Sequence, residues 1–559
     1  MDRPKVYRVN SALTAVRFGI RIHPKDKNIA KSIFGWHFCG ESKMWSFPYR
    51  REVIDRVIAD FEIEEHDAMS LEARYSQIIN SIKHVDKVVA EVLSKEQTVR
   101  VSCSLPPYKH QAQSIKIGLQ APYFCDFSEP GTGKTYVQCI IMDELFGRGQ
   151  IYSALVVCPK TIIQSVWMEE LSSLIPGRHA VALTGTKQKK MKLLNESGAE
   201  IFVINYESAS VMGKALLSKH FDYLVADETV KIKNYAAKMS KIMHELAVYA
   251  KRRAMLTGIP TPNSMLDIFS QFKFLDLGQR FGDNYWHFRD TYYYQRRPYL
   301  WLPVQGAEEK IRDKMFGCAV RHLLDECEDM PEQIHQNIGV DLSKEQKVMQ
   351  KQIAAGYILT GGEKAEITNA LTAMQKLRQV TGGYILIDNS LHTFKTNPKM
   401  EATVDLVNGI PLTSKVIVWC QYRAEIHALL EKFGDAAVSL YGGNTDKDRE
   451  ANIKAFKEDP SIRVCVANPK STKYGLTLTE ANYCIWYSID FSYEAMAQAN
   501  ARIRRLSQTQ KTVYYYLVAK DSIDEYVMGA IKRKRNLNAF AMRAEGQKEI
   551  GDLIERIAQ

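Results

Sequence analysis

CDFSEPGTGKT, residues 125–135, decides how this 559-residue chain is read. The apolar run Tyr123 to Phe127 predicts a short strand feeding a glycine loop, and the loop opens a helix from Thr135 to Leu145. Gly131 and Gly133, set between Pro130 and Thr132, can bring bare backbone N–H groups up to phosphate oxygens. Lys134 supplies a cation for the outer phosphates, and the Thr135 hydroxyl is placed to hold Mg²⁺. The strand before and the helix after separate such a phosphate cradle from a solvated loop. One departure stands out: Ser128 occupies the position where many phosphate loops carry their first glycine.

Downstream, strands and helices alternate, the signature of a parallel sheet with crossover helices. Ala154 to Cys158 ends in Pro159-Lys160-Thr161, Ile201 to Ile204 in Asn205-Tyr206-Glu207, Tyr223 to Ala226 in Asp227-Glu228, and Ala254 to Leu256 in Thr257-Gly258. Each polar signal sits at the C-terminal end of a strand, the edge where open α/β sheets bind ligands. The acidic pair has a mechanical reading: Asp227, with Glu228 beside it, can complete a Mg²⁺ site with Thr135, and Glu228 can orient and deprotonate an attacking water. An acidic pair that merely caps a surface helix looks similar; the phosphate loop upstream favours catalysis.

Lys and Arg number 75 against 64 Asp and Glu, a net charge of +11 that suits a polyanionic partner without requiring one. The ten cysteines are scattered with no C-x-x-C pair, so neither a zinc site nor a disulfide frame is expected. No apolar run approaches the roughly eighteen residues that span a bilayer, and MDRPKVYRVN lacks a signal-peptide core, so a cytoplasmic or nucleoid-associated, non-membrane location is expected.

The expected fold class is α/β, two RecA-like parallel-sheet lobes with a helical insertion and a small α+β N-terminal module. Residues 1–66 form that module: Val16, Phe18, Ile20 and Ile22 alternate as in a strand, and Gly35 to Tyr49 reads as a hairpin around Gly40-Glu41-Ser42. Its Trp36, Phe38, Trp45 and Phe47 lie close to Lys43, Arg50 and Arg51 and could stack on bases, although aromatics in so small a sheet are more often its core. Residues 67–100 are a helical linker, with Leu71, Ile78, Val85 and Val92 at helical spacing. Lobe 1 spans 101–270, a helical insertion 271–398, and lobe 2 with a basic C-terminal helix 399–559. In the insertion, Arg296 and Arg297 beside Tyr294 and Tyr299 suit contact with a nucleic-acid backbone or a plain solvated loop equally. In lobe 2 no second phosphate loop occurs. Instead QANARIRRLSQ, Gln498 to Gln508, is expected on a helix with Arg502 and Arg505 on one face, as two guanidinium groups aimed at one phosphate would be.

In order and spacing these motifs resemble the Swi/Snf-type double-stranded DNA translocases of helicase superfamily two, over about Leu105 to Glu525. LPPYKHQ, with Tyr108 and Gln111, is similar to the adenine-reading motif, SEPGTGKT to motif I, VCPKTIIQSVW to motif Ia, and DETVKIKN to motif II. LTGIPTPN resembles motif III, KVIVWCQY motif IV, YGLTLTEA motif V, and QANARIRRLSQ motif VI. The chain departs from the family at Val230, where motif II usually has histidine, at Thr472-Lys473 before motif V, and at Ser507 in motif VI. The N-terminal module is more weakly similar to the HARP-type domain of annealing helicases through Trp45 to Pro48, which points to forked or branched DNA.

The resemblance implies a DNA-dependent ATPase using ATP and Mg²⁺. Tyr108, Gln111, the loop 130–135, Gln498, Arg502 and Arg505 would hold the nucleotide, and Lys160, Thr161, Tyr422, Thr477, Thr479, Arg296 and Arg297 would contact DNA without reading its sequence. It also implies a monomeric motor tracking double-stranded or branched DNA. A strand-separating helicase, or an ATP-gated DNA-binding scaffold that hydrolyses weakly, remains open at this point.

Overall fold

Strands made of unbroken apolar residues can be buried only between two layers of helix. The computed structural model describes residues 9–10, 17–40, 42–61, 63–95, 105–261, 264–297, 300–327, 331–355, 357–360, 363–366, 370–388, 390–471, 477–489, 493–504 and 508–532. The chain divides into two units, 1–323 and 324–559.

The first unit carries a seven-stranded, all-parallel sheet in the order Ala319–Val320, Tyr123–Asp126, Arg252–Leu256, Tyr223–Asp227, Ala154–Cys158, Ile201–Asn205, Ala180–Ala182. Every residue of the strands Ala154–Cys158, Ile201–Asn205 and Tyr223–Asp227 is buried, as their composition requires. The register pairs Leu256 with Asp126 on one side and with Asp227 on the other, so two carboxylates lie in one row at the C-terminal edge, with the strand Arg252–Leu256 between them.

The N-terminal module is an antiparallel sheet in the order Val9–Asn10, Arg17–Ile20, Met44–Pro48, His37–Cys39, backed by the helices Arg51–Asp60 and Glu65–Leu93. Phe18, Phe47, Val53, Ile54, Val57, Leu71 and Ile78 form its core. Leu71, Ile78, Val85 and Val92 are buried at seven-residue intervals along the long helix, and Asp86 from that helix pairs with Arg280 at 2.5 Å. Arg17 bonds both carboxylate oxygens of Asp283 at 3.1 and 3.0 Å, fastening the sheet to the segment that follows lobe 1. The aromatic quartet divides: Trp45 and Phe47 are core, whereas Trp36 and Phe38 are exposed.

The second unit holds six parallel strands in the order Gln333–Val340, Thr512–Ala519, Ala481–Trp486, Lys415–Trp419, Val464–Ala467, Ala437–Leu440. Val416 and Val418 pack into one core cluster and Ile417 and Trp419 into another, so a fully buried strand still serves two faces by its period of two.

Two expectations need correction. Residues 271–398 are not helical throughout: Ala319–Val320 joins the first sheet, Gln333–Val340 joins the second, and three hairpins, Tyr293–Arg297 with Leu300–Pro303, Tyr357–Thr360 with Glu363–Glu366, and Tyr384–Ile387 with Ser390–Thr393, lie among the helices. QIHQNIGV shows no clean alternation because it is an edge strand with most side chains exposed; its eight-residue pairing with Thr512–Ala519 comes from the neighbour. Second, the helix expected over Gln498 to Gln508 does not reach Arg502. The helix Tyr493–Asn500 ends before Arg502, where the Arg502 and Ile503 N–H groups donate to the Ala499 and Asn500 carbonyls in tight turns and the Arg502 carbonyl accepts from the Leu478 N–H at 2.9 Å. Arg505 and Ser507 lie outside the described residues, as do Thr472, Lys473 and Tyr299.

Candidate active site

The phosphate loop leaves the strand Tyr123–Asp126 and enters the helix Lys134–Gly147, one residue earlier than the spacing predicts. Gly131 and Gly133 have φ of 97° and 87°, values that favour glycine and let the backbone curl around a point in front of the helix N-terminus. Ser128 does not hinder this curl. Its N–H donates to Asp126 Oδ1 at 3.0 Å, its hydroxyl accepts from the His322 N–H at 3.1 Å, and its carbonyl accepts from Lys134 Nζ at 2.7 Å. The side chain ties the loop to the strand beside it, a job glycine could not do.

Behind the loop, Gln111 is buried; its Nε2 donates to the Thr132 carbonyl at 3.1 Å, and its Oε1 accepts from the Tyr108 N–H at 3.0 Å. His110 Nε2 donates to the same Thr132 carbonyl at 2.9 Å. The segment singled out for adenine therefore also braces the phosphate loop. Gly258 closes the other side: a Cβ there would lie 3.0 Å from Pro130 Cδ.

Asp227 is the electrostatic centre. Burial raises its carboxyl above the usual carboxylate range, while the indole hydrogen bond from Trp167 (2.9 Å to Oδ2) and the Lys134 charge pull it back. Trp167 reaches it from a short π-helix, Ile163–Met168, an irregularity that accompanies functional sites. The Tyr206 hydroxyl donates to the Asp227 carbonyl at 2.8 Å. Glu228 follows with φ of 54°, a conformation a non-glycine residue adopts only when its surroundings impose it. Thr135 and a buried, cation-seeking Asp227 are the donor set Mg²⁺ prefers, one or two protein oxygens with the remaining positions left to phosphate and water. The residues present fit ATP and Mg²⁺.

The sites expected on DNA are spread over both units. Lys160 and Thr161 are exposed just past the strand Ala154–Cys158. Arg296 is exposed at a bulge in its hairpin, and the backbone of Arg297 lies in the same strand. In the second unit Tyr422 caps the helix Arg423–Phe433, with the Arg378 guanidinium 5.4 Å from its ring centre. Thr477 and Thr479 are half-buried, and the Thr479 carbonyl accepts from Gln508 Nε2, which also binds the Ala481 and Ile503 carbonyls. Gln508 thus laces motif V to motif VI. Gln498 and Arg502 are buried.

Sequence reasoning missed Asp126, Gln271 and Glu425. Asp126 lay inside the quoted stretch and was legible as a buried carboxylate at a strand end; the other two carried no local signal.

The SNF2-related domain matches residues 124–382, and the helicase conserved C-terminal domain matches 398–507. The chain belongs to the SNF2 family. Membership in that branch of helicase superfamily two makes it a DNA-dependent ATPase. This SNF2 chain is 26% identical over 451 residues to a putative protein, p41, of Acyrthosiphon pisum secondary endosymbiont phage 1, covering 75% of the chain and 94% of the phage protein. It is 24% identical over 417 residues to an uncharacterized ATP-dependent helicase of Mycoplasma genitalium, covering 73% of the chain and 39% of that protein's length. Among solved structures, the Sulfolobus solfataricus SWI2/SNF2 ATPase core in complex with dsDNA aligns at 20% identity and a TM-score of 0.40, covering 82% of this chain and 99% of that one. No described helix is long and apolar enough to cross a membrane.

Proposed function

We propose that the chain is an ATP-driven translocase on double-stranded or branched DNA, acting in annealing, fork remodelling or displacement of bound protein. The reading is carried by the row Asp126–Leu256–Asp227, which sets a buried, cation-seeking carboxylate two strands from the one that feeds the phosphate loop. Lys134, whose Nζ now donates to the Ser128 and Glu129 carbonyls at 2.7 and 3.1 Å, turns to the outer phosphates when a nucleotide enters. Thr135 and Asp227, with Glu228 adjacent, would hold Mg²⁺, which would supply positive charge beside the phosphates. Glu228 orients the attacking water and takes its proton. Arg502 and Arg505 neutralise charge on the transferred phosphoryl group, a contribution worth about a thousandfold in rate. Tyr108, Gln111 and Gln498 position the nucleotide.

Lys160, Thr161, Tyr422, Thr477, Thr479, Arg296 and Arg297 meet the DNA backbone, so binding is independent of sequence and weakens steeply with salt. Strand displacement from a triplex, measured beside fork unwinding and strand annealing with one protein preparation, tests the reading. Translocation predicts ATP-dependent triplex displacement with little net unwinding of a plain fork. Unwinding without triplex displacement would instead identify a strand-separating helicase.

A further inference from the structure

The N-terminal module presents exposed rings that its own core does not use. Phe38 lies in the edge strand His37–Cys39 and Trp36 just before it, two residues apart and so on one face; among the described residues that strand pairs only with Met44–Pro48. Both lean on the buried Trp45, with ring centres 5.3 and 5.1 Å away and planes inclined at 45°, yet they remain 40% and 44% exposed. Cations sit against the exposed rings: Lys31 Nζ lies 5.9 Å from the Trp36 ring centre, and the Arg50 guanidinium lies 5.0 Å from that of Phe34. Arg50 also reaches Glu52 at 4.0 Å.

The platform is held rigidly. Arg17, while gripping Asp283, donates to the carbonyls of Gly35 and Ser46 at 2.6 Å each, so one guanidinium fixes the turn between Phe34 and Trp36 and anchors it to the lobe 1 side of the unit. Gly35, at φ 76°, allows the turn to lie against Pro48, where a Cβ would meet Cγ at 2.9 Å. An apolar protein partner would have to bury those cations. A chain in which flat bases alternate with phosphates satisfies both at once.

We propose that Trp36 and Phe38 form a stacking platform for the bases of an unpaired DNA strand, with Lys31 meeting its phosphates. This rests on the reading of the chain as a DNA motor and adds the structure it prefers: a duplex bearing a single-stranded arm. The test uses the full chain and fluorescence anisotropy with three probes, a blunt duplex, the same duplex with a thymidine arm, and the same duplex with an abasic arm.

The thymidine arm is expected to tighten binding about tenfold over the blunt duplex, a gain of the size one stacked base supplies, and the abasic arm to lose most of that gain. The Trp36→Ala/Phe38→Ala variant should lose the gain while keeping blunt-duplex affinity and duplex-stimulated ATP hydrolysis; Trp36→Phe/Phe38→Tyr should keep it. Equal affinity of the unaltered protein for thymidine and abasic arms would overturn the proposal without any variant, as would a gain that survives the alanine pair. Dimerisation of the unaltered protein that the alanine pair abolishes would also overturn it, by marking the face as a contact between copies. Failure of blunt duplex to stimulate hydrolysis would count against the motor reading and leave the arm preference to be judged on its own.

Discussion

Thr229 Oγ1 donates to Gln271 Oε1 at 2.8 Å with both side chains fully buried, and the same Gln271 donates through Nε2 to the carbonyls of Pro260 (2.7 Å) and Asp267 (2.9 Å). Thr229 follows the Asp227-Glu228 pair and Pro260 lies in the loop after the strand Arg252–Leu256, so one amide joins motif II to motif III immediately beside the Val230 that stands where the family usually has histidine. Thr229→Val would strand a buried acceptor at a cost of about 1–3 kcal/mol. It is expected to lower DNA-stimulated kcat with little change in KM for ATP. Thr229→Ser should restore turnover, and the Thr229→Val/Gln271→Leu pair should cost less than the sum of the single variants in steady-state kinetics and thermal unfolding.

Gly258→Ala places a methyl 3.0 Å from Pro130 Cδ, and the phosphate loop must shift to admit it. Overpacking of this kind costs about 1–3 kcal/mol, so the melting temperature is expected to fall and, because the shift falls on the phosphate loop, ATP binding to weaken roughly tenfold in a nucleotide titration.

Glu425 is buried in the second unit, where its Oε2 accepts from the Gln421 and Tyr422 N–H groups and the Ser488 hydroxyl. Burial pushes its carboxyl up to about 7, against opposing hydrogen bonds and the Lys399 and Arg378 charges. Because the folded carboxyl holds its proton to higher pH than the unfolded one, the folded state binds more protons between about pH 4.5 and 7, and stability falls as pH rises through that window. Above pH 7 the accumulated penalty is on the order of 3 kcal/mol. Glu425→Gln should therefore melt higher relative to the unaltered protein at pH 8 than at pH 5, and a pH-independent difference would refute this account.

Arg17 and Asp283 are 266 residues apart and mostly buried, with side chains 11% and 18% exposed. Removing one partner of such a pair costs about 3 kcal/mol or more. Arg17→Ala is expected to loosen the N-terminal module so that limited proteolysis cleaves between the module and lobe 1, while basal ATP hydrolysis by the lobe persists.

Much of lobe 1 was legible because its strands are unbroken apolar runs that end abruptly in polar residues, as VVC does before Pro159 and YLVA before Asp227. The phosphate loop was legible because glycine, lysine and threonine have few reasons to occur at that spacing. Gln333–Val340 was not, because an exposed edge strand carries little apolar alternation and takes its conformation from Thr512–Ala519. The end of the helix at Asn500 was hidden for a related reason: the alanines and arginines of ANARIRR favour helix, and the groups that hold the chain there, the Leu478 N–H on the Arg502 carbonyl and the Trp486 indole on Asn500 Oδ1, are distant in sequence. Gln271 looked like any residue on an amphipathic helix; its role exists only once Thr229 is packed against it.

The central claim, that Glu228 beside Asp227 drives hydrolysis at the phosphate loop, is tested most directly by ATP turnover of Glu228→Gln with and without duplex DNA, alongside nucleotide and DNA affinities. The account predicts unchanged affinities and a loss of DNA-stimulated turnover of at least a hundredfold, on the order expected for a lost general base. Turnover equal to that of the unaltered protein would contradict it.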